Sequence, residues 1–563
     1  MVGVRGAAVA RPHLDSKGGM RSPLLTHTLG VFAAVVVLRL VLVLLVPILQ
    51  DETYYLAWAT APDWGYFDHP PAVAWIGATI GLSWGSPLAG RLGTMLVAAL
   101  AYPFMAGLLV NAGIRARRAH LTGLLLLSFN LCALVSGVLT TPDVALFTAW
   151  CAALHEGAAA LASRRRRWIG AGVAVGLGLL SKYAMVLIAP VFLWGLWRSD
   201  RQALRTPWPW LGVVVGASLF APHLLWNARH DWVPVRFAIR RGLQGTNTVS
   251  QGLATRLPGA KPPGEAELAF GRWFAPKTAA NAAAKVEAPP AQPAEIPEVL
   301  ERVGTYASYV LLMWGAFLVP IASLAHRRPS RLPRAPDPID RRVRPLLAAA
   351  VVVPLSFFAL VSLGVSIEAN WPAVYVIGAV PLLAARCAER LRTTVVCAAV
   401  NAALVLALAL YARVPLAASV GSRVARETLG YRELAASIAE LNGPIFADHY
   451  QLVSELNFHA PHLGVRQWPG IRRSSEYLRR AEWTPDTVES LVAKGGLWLV
   501  TGNPLPPRLP GFQPVDAFAA HYCLGRGLVT VAAFSSLTFE RPCRGYALYR
   551  WLVIRYVPIR TDT

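Results

Sequence analysis

A succession of apolar stretches, each near the length of a bilayer crossing and divided from the next by short arginine-rich connections, restricts this chain more than any other feature. A helix needs about 20 apolar residues to cross the hydrocarbon. Stretches of that kind fall at 28–49, 92–113, 120–139, 144–161, 208–226, 303–325, 345–364, 371–388 and 394–413, with a longer one at 169–197. A mean hydropathy of +0.43 with only 15% charged residues excludes an ordinary soluble multidomain protein. The formal net charge of +23 does not point to nucleic acid. The arginines lie in runs between apolar stretches, where retention on the cytoplasmic side explains them better than a basic groove.

Those runs set the topology. Residues 1–23 form a polar, basic tail read as cytoplasmic, and no small-residue cleavage site follows 28–49, so the first span is read as uncleaved. Arg115, Arg117 and Arg118, then Arg164 to Arg167, place two further loops inside, and the turn Thr140-Thr141-Pro142-Asp143 opposite. Arginines flank 169–197 at both ends, which requires an even number of crossings. We read two helices of about 14 residues meeting at an apex, Ser181-Lys182-Tyr183. The remaining spans bring the expected count to about 11–13 within an α-helical polytopic domain, 24–413. A first outer loop is expected at 51–91 and a long Pro/Ala-rich outer loop at 233–300, whose composition cannot bury a core. From 414 to 563 hydropathy falls and the pattern becomes that of a soluble α/β domain, with RELAASIAELN at helical spacing and GLWLVTG as a buried strand. That domain carries no recognisable site of its own, and Cys523 and Cys543 in it lie in a compartment that permits a bridge.

The chemistry concentrates on one side of the membrane. The outer loop opens DETYYLAWATAPDWGYFDHPP, placing Asp51, Glu52, Asp68 and His69 among six aromatic side chains. The same topology brings Asp143, Lys182, the HLLWNARHD segment (His223, Asn227, Arg229, His230) and the turn Glu368-Ala369-Asn370-Trp371-Pro372 to that side, where chance would have put about half of them on the other. Ionisable groups at such depth are functional candidates by default. Several carboxylates beside a lysine and histidines suit acid/base chemistry on a phosphorylated, lipid-anchored substrate, with cations on the phosphate and a carboxylate activating a hydroxyl.

At these residues the chain resembles the membrane-embedded glycosyltransferases of the GT-C fold that use polyprenyl-phosphate sugars. DETYY, YFDHPP, TTPD, LSKY and the Asn-Trp-Pro turn occur in the order seen in the bacterial branch related to protein mannosyltransferases and to the transferases that put aminoarabinose or galacturonic acid on lipopolysaccharide. The resemblance spans about residues 28 to 390. It implies catalytic roles for Asp51, Glu52 and Asp143. Donor-phosphate or substrate contacts are implied for Asp68, His69, Lys182, Tyr183, Asn227, Arg229, His230, Asn370 and Trp371. Relatives with lysine where His69 stands hold a permanent charge there, so phosphate binding in this chain is expected to lean on Lys182 and to vary with pH. No cofactor is required by this reading, although Asp68, Asp143 and His223 are residue types that hold a divalent metal. The implied partners are a polyprenyl-phosphate-linked sugar donor, a glycolipid, glycan or protein acceptor, and the lipid bilayer, in a bacterial inner membrane with the site on the periplasmic side.

Plainer roles compete. Asp51 and Glu52 are suited to capping a helix N-terminus, His69 to bonding a backbone carbonyl, and Lys182 to snorkelling. The tryptophans suit an interfacial belt. A protein O-mannosyltransferase-like enzyme and, in another class, a secondary transporter or flippase of a lipid-linked or anionic solute are the alternatives. The second predicts paired halves with matching interrupted helices, which the sequence does not show.

Overall fold

The computed structural model describes residues 22–244, 296–324, 339–413, 427–480, 487–503, 506–523, 526–532 and 547–559. Two bodies meet at the outer loop: a helical domain and a smaller sheet domain. The first eleven helices are α1 (Ser22–Leu45), α2 (Gln50–Ala59), α3 (Ala72–Gly77), α4 (Pro87–Asn111), α5 (Arg117–Ser128), α6 (Leu131–Ser136), α7 (Pro142–Leu161), α8 (Trp168–Leu179), α9 (Ile188–Ser199), α10 (Pro207–Arg229) and α11 (Val233–Gln244). Among the described residues six helices are long and apolar enough to cross a membrane, or seven when a bent pair is counted as one span. The protein is therefore a multi-pass membrane protein, in which the other expected crossings are built from shorter helices.

Local chemistry explains where those shorter pieces break. The expected span 120–139 is divided at Phe129-Asn130 because the buried Asn130 serves both sides. Its Oδ1 accepts from Ala133 N at 2.9 Å, starting α6, while its Nδ2 donates to the Leu126 and Leu127 carbonyls that end α5. The expected span 303–325 is bent by 91° between Ile296–Leu312 and Gly315–Ala322. Gly315 has φ +53 there, and a Cβ would lie 2.4 Å from Asn401 Oδ1, so glycine alone fits. Residues 169–197 follow the expected hairpin, as α8, an apex at Ser181-Lys182 and α9. α8 packs backbone to backbone on α10, since a Cβ on Gly172 would meet the Gly212 carbonyl at 2.0 Å. Residues 370–412, read from sequence as two spans, are one run of helical turns of 43 residues, because Arg390 to Arg392 introduce charge without a helix-breaking residue.

A second difference lies after α10. Residues from 233 were expected to open an irregular loop, yet Val233–Gln244 is helical. The chain reverses through Asp231 and Trp232, both at positive φ (54 and 55), a conformation costly for side chains of this kind. Residues 245–295 lie outside the described residues.

The sheet domain has six strands: β1 (Ile445–Ala447), β2 (Arg466–Gln467), β3 (Leu497–Thr501), β4 (Phe512–Cys523), β5 (Gly527–Ala532) and β6 (Ala547–Pro558), in the order β2-β1-β3-β6-β4-β5. β1 runs parallel to β2 and β3, and the rest is antiparallel. RELAASI and LWLVT form a helix and β3 as read from their spacing. Cys523 is disulfide-bonded, and Cys543 lies outside the described residues. One face of the sheet shares a buried core with Tyr54, Tyr55, Trp58, Tyr66 and Val73 of the outer loop, so burial of aromatic area holds the two bodies together.

Candidate active site

The cleft is built where α2 and the loop after it are gripped from both sides. Adjacent residues of α2 have opposite fates. Glu52 is buried and forms an ion pair with Arg91 at 2.5 Å, accepting from Arg91 Nε at 2.9 Å and Thr140 N at 2.8 Å. Arg91 in turn donates to the carbonyls of Val43, Val46 and Pro47, where α1 ends. Glu52 thus ties together three segments with every oxygen engaged, an anchoring position that is not open to the cleft. Asp51, one residue earlier, opens to the cleft and accepts from Gln451 Nε2 at 2.9 Å. Although it is exposed, surrounding protein displaces enough water that desolvation raises its pKa above the ordinary value, against the lowering effect of Gln451 and Arg473.

Three cations lie near this part of the cleft, each paired with a carboxylate. Lys182 Nζ donates to Asp143 Oδ1 at 2.7 Å, and Asn370 Nδ2 donates to Asp143 Oδ2 at 2.9 Å. The apex of the α8–α9 hairpin, the start of α7 and the Asn-Trp-Pro turn therefore meet, bringing together residues far apart in sequence. Arg241, on α11, pairs with Glu368 and lies 5.9 Å over the Trp371 ring. Arg473, from the sheet domain, donates to Asp68 Oδ1 at 2.8 Å and covers the Tyr450 ring at 4.0 Å. All three act on His69, which packs edge-on against Tyr55 at 5.8 Å. Burial first, then Lys182, Arg241 and Arg473, hold its pKa well below the ordinary value. That direction favours the neutral imidazole and runs against the expectation that His69 supplies a pH-dependent positive charge.

Other expected site residues are placed elsewhere. His223 lies between Trp64 O at 2.6 Å, Tyr183 Oη at 2.8 Å and Asn227 Nδ2 at 2.9 Å. If Nδ1 donates to the carbonyl, Nε2 accepts from the other two, so this trio clamps α10 to the outer loop. Asn227 is buried within the clamp. His230 bonds the Trp226 carbonyl and stacks on that ring at 4.0 Å, while Arg229 is exposed away from these contacts. Asp68, Asp143 and His223 are each committed to different partners, and among the described residues no group of three or more His, Cys, Asp or Glu is placed to hold a metal. The residues present do not fit the divalent site they were considered for.

Several comparisons bear on this arrangement. The family model for dolichyl-phosphate-mannose-protein mannosyltransferase matches residues 68–226. The lipid A galacturonosyltransferase RgtD of Rhizobium johnstonii is 28% identical over 215 residues, 34% of this chain and 44% of that protein. The chain thus aligns with less than half the length of that curated relative. Crystal structures of ArnT from Cupriavidus metallidurans superpose over nearly the whole chain. The apo form has a TM-score of 0.56 at 15% identity, covering 94% of this chain and 98% of that one. The form bound to undecaprenyl phosphate has a TM-score of 0.54 at 17% identity, covering 93% and 97%. The fold is that of the GT-C glycosyltransferases.

The family match includes Asp68, His69, Asp143 and Lys182 but neither Asp51 nor the sheet domain. Arg241, Tyr450, Gln451 and Arg473 are the cleft residues that sequence reading missed. Arg241 stood in a segment read as loop, though its amphipathic spacing signalled the helix. Arg473 lies in GIRRSSEYLRR, a basic run whose only hint is excess charge next to a buried pattern. In that run Glu476 is fully buried, accepts from Phe67 N at 2.8 Å and is paired with Arg479 and Arg480, while its own N–H donates to Tyr54 Oη at 2.8 Å. The sheet domain therefore completes the cleft.

Proposed function

We propose that the protein is a membrane glycosyltransferase that moves a sugar, a hexose or pentose, from a polyprenyl-phosphate-linked donor to an extracytoplasmic acceptor. The acceptor class we favour is lipid A, lipopolysaccharide or another cell-envelope glycan, with the cleft on the periplasmic face of a bacterial inner membrane. The observation that carries this reading is the contrast between Asp51 and its surroundings: Lys182, Arg241 and Arg473 each have a carboxylate in contact, whereas Asp51 faces the cleft on a neutral amide. A carboxylate that is hydrogen-bonded by a neutral amide, and whose pKa desolvation raises, is suited to take a proton. In the proposed step the acceptor hydroxyl oxygen bonds the anomeric carbon, its proton passes to Asp51, and the bond from that carbon to the phosphate oxygen breaks. The departing polyprenyl phosphate gains negative charge beside Lys182, Arg241 and Arg473. The similarity to a lipid A galacturonosyltransferase and to a fold that binds undecaprenyl phosphate supports the donor and acceptor classes.

The test is transfer of labelled sugar from a polyprenyl-phosphate donor by purified protein in detergent, paired with mass spectrometry of lipid A and core glycans from a deletion strain. Transfer that Asp51→Asn removes supports the enzyme. Solute counterflow in liposomes without transfer supports a transporter instead. The orientation is checked by single cysteines at Gly502 and Ser163 in a cysteine-free background: an impermeant maleimide added outside should label the first and spare the second.

A further inference from the structure

The sheet domain opens as a doubly wound unit. β1 lies between β2 and β3, parallel to both, with the helix Tyr450–His459 on one face and the helix Val488–Ala493 on the other. In open sheets with this 2-1-3 order, ligands bind beyond the carboxyl ends of the strands at the β1/β3 gap, because the crossovers depart on opposite faces. The step proposed for Asp51 uses none of the residues found at this gap.

Asp448 follows β1 and is fully buried, and Thr501 ends β3. Asp448 Oδ1 lies 2.5 Å from His449 Nδ1, and Asp448 Oδ2 accepts from Thr501 Oγ1 at 2.7 Å. Asn503 N donates to Thr501 Oγ1 at 3.0 Å, and Asn503 Oδ1 accepts from Arg472 Nη2 at 2.9 Å. Arg472 Nε stands 4.0 Å from Asp448 Oδ2. A buried carboxylate tying two strand ends together would be structural by itself. It does not account for the two groups that it turns outward. Nδ1–H donation to Asp448 fixes the imidazole tautomer and leaves Nε2 without a protein partner among the described residues, on a side chain 19% exposed. The Arg472 side chain is 53% exposed.

The same two loops reach the cleft. Gln451, two residues after His449, holds Asp51, and Arg473, next to Arg472, holds Asp68. Two residues of chain span at most about 7 Å, so the gap adjoins the cleft on its sheet-domain side. In the proposed step the carrier phosphate lies among Lys182, Arg241 and Arg473, and the residues of this gap make none of those contacts, which leaves the gap for the molecule that Asp51 deprotonates.

We propose that His449 and Arg472, positioned by Asp448 and Asn503, form a subsite for the sugar head group of the acceptor. His449 Nε2 accepts from a sugar hydroxyl, and the Arg472 guanidinium meets an acidic group on the same head group. This inference rests on the transferase reading and deepens it. The probe is lipid A, measured two ways on full-length protein: direct binding in nanodiscs, and acceptor and donor KM in the transfer assay. His449→Ala and Arg472→Ala should each weaken lipid A binding and raise the acceptor KM about tenfold, the size of one lost hydrogen bond, with donor KM unchanged. His449→Gln should recover part of that loss. Asp448→Asn should reproduce His449→Ala, and because it endangers folding the exposed Arg472→Ala carries the test if it fails. Lipid A binding and acceptor KM within twofold of wild type in both alanine variants, a rise in donor KM instead, or no lipid A binding by wild type overturns the subsite. Binding that depends on His449 without any sugar transfer would keep the subsite and overturn the transferase reading.

Discussion

The two walls of the cleft hold the same kind of contact and were reached by different routes. On the membrane wall, Asp143 accepts from both Lys182 and Asn370, three residues that hydropathy and the positive-inside rule had already assigned to one side. On the other wall, Arg473 meets Asp68 across more than four hundred residues of chain, and nothing in the local pattern of either segment names its partner. A topological rule sorts residues by side because charge and hydropathy act through the bilayer, a planar field common to all spans. Docking of a soluble domain depends on shape and on buried aromatic area, which no periodicity records.

The largest effect should come from the residue between the walls. Asp51→Asn should lower kcat by about 10³-fold, within the range for a general base, with folded protein recovered at normal yield. Glu52→Gln should instead lose folded protein while turnover per folded molecule stays within a few-fold, since it leaves the Arg91 guanidinium unpaired in a buried site. Reversal of that pair of outcomes, measured by transfer assay and size-exclusion recovery, would exchange the two assignments.

Lys182→Ala and Arg473→Ala sharpen the comparison directly. Each should reduce kcat/KM for the donor by about 10²-fold if both walls meet the carrier phosphate. Arg473→Ala should also lower the thermal midpoint, because Asp68 is left buried without its partner. A loss confined to Lys182 would assign the phosphate to the membrane wall alone.

The junction of the walls carries a titratable group. Glu455, fully enclosed between the helix Tyr450–His459 and α2, accepts from Thr53 Oγ1 at 3.3 Å, and burial raises its pKa to about 7. A carboxyl that binds its proton more tightly when folded stabilises the fold at low pH and loses that contribution as pH rises from about 4.5 to about 7. The thermal midpoint should therefore fall over that window by the equivalent of about 2 kcal/mol. Glu455→Gln should remove the dependence, and an unchanged slope in the variant would place the titration elsewhere.

The smallest effect concerns His69. With its pKa held down by burial and three cations, it should show the same fractional loss on His69→Ala at pH 6 and pH 8 in the transfer assay. A loss greater at pH 6 would restore the charged imidazole that the resemblance suggested.

Much of the molecule was legible before any coordinates. The spans at 28–49, 92–113, 144–161, 208–226 and 345–364 correspond to long helices, because length and apolarity alone decide whether a segment can cross the hydrocarbon. The hairpin with Lys182 at its apex followed from basic residues at both ends. Where polar side chains replace backbone partners, the reading failed: Asn130 broke one expected span and Asn401 received the bend at Gly315. Glu52 and Asp51 were indistinguishable in sequence, since which of two adjacent carboxylates faces an arginine depends on the rotation of α2.

The sequence by itself determined that the chain is a polytopic membrane protein followed by a domain of α/β pattern, and it gave the expectation that the acids and bases gather on one face. Hydropathy and charge are summed along the chain and need no partner to be read. Only the tertiary structure decided which acids are paired with cations, that His69 is buried among three of those cations, and that the sheet domain supplies Arg473, Gln451 and the Asp448–His449 pair. Ion pairing and desolvation depend on distances of a few ångströms between segments hundreds of residues apart, and those distances exist only once both walls have packed on the aromatic outer loop.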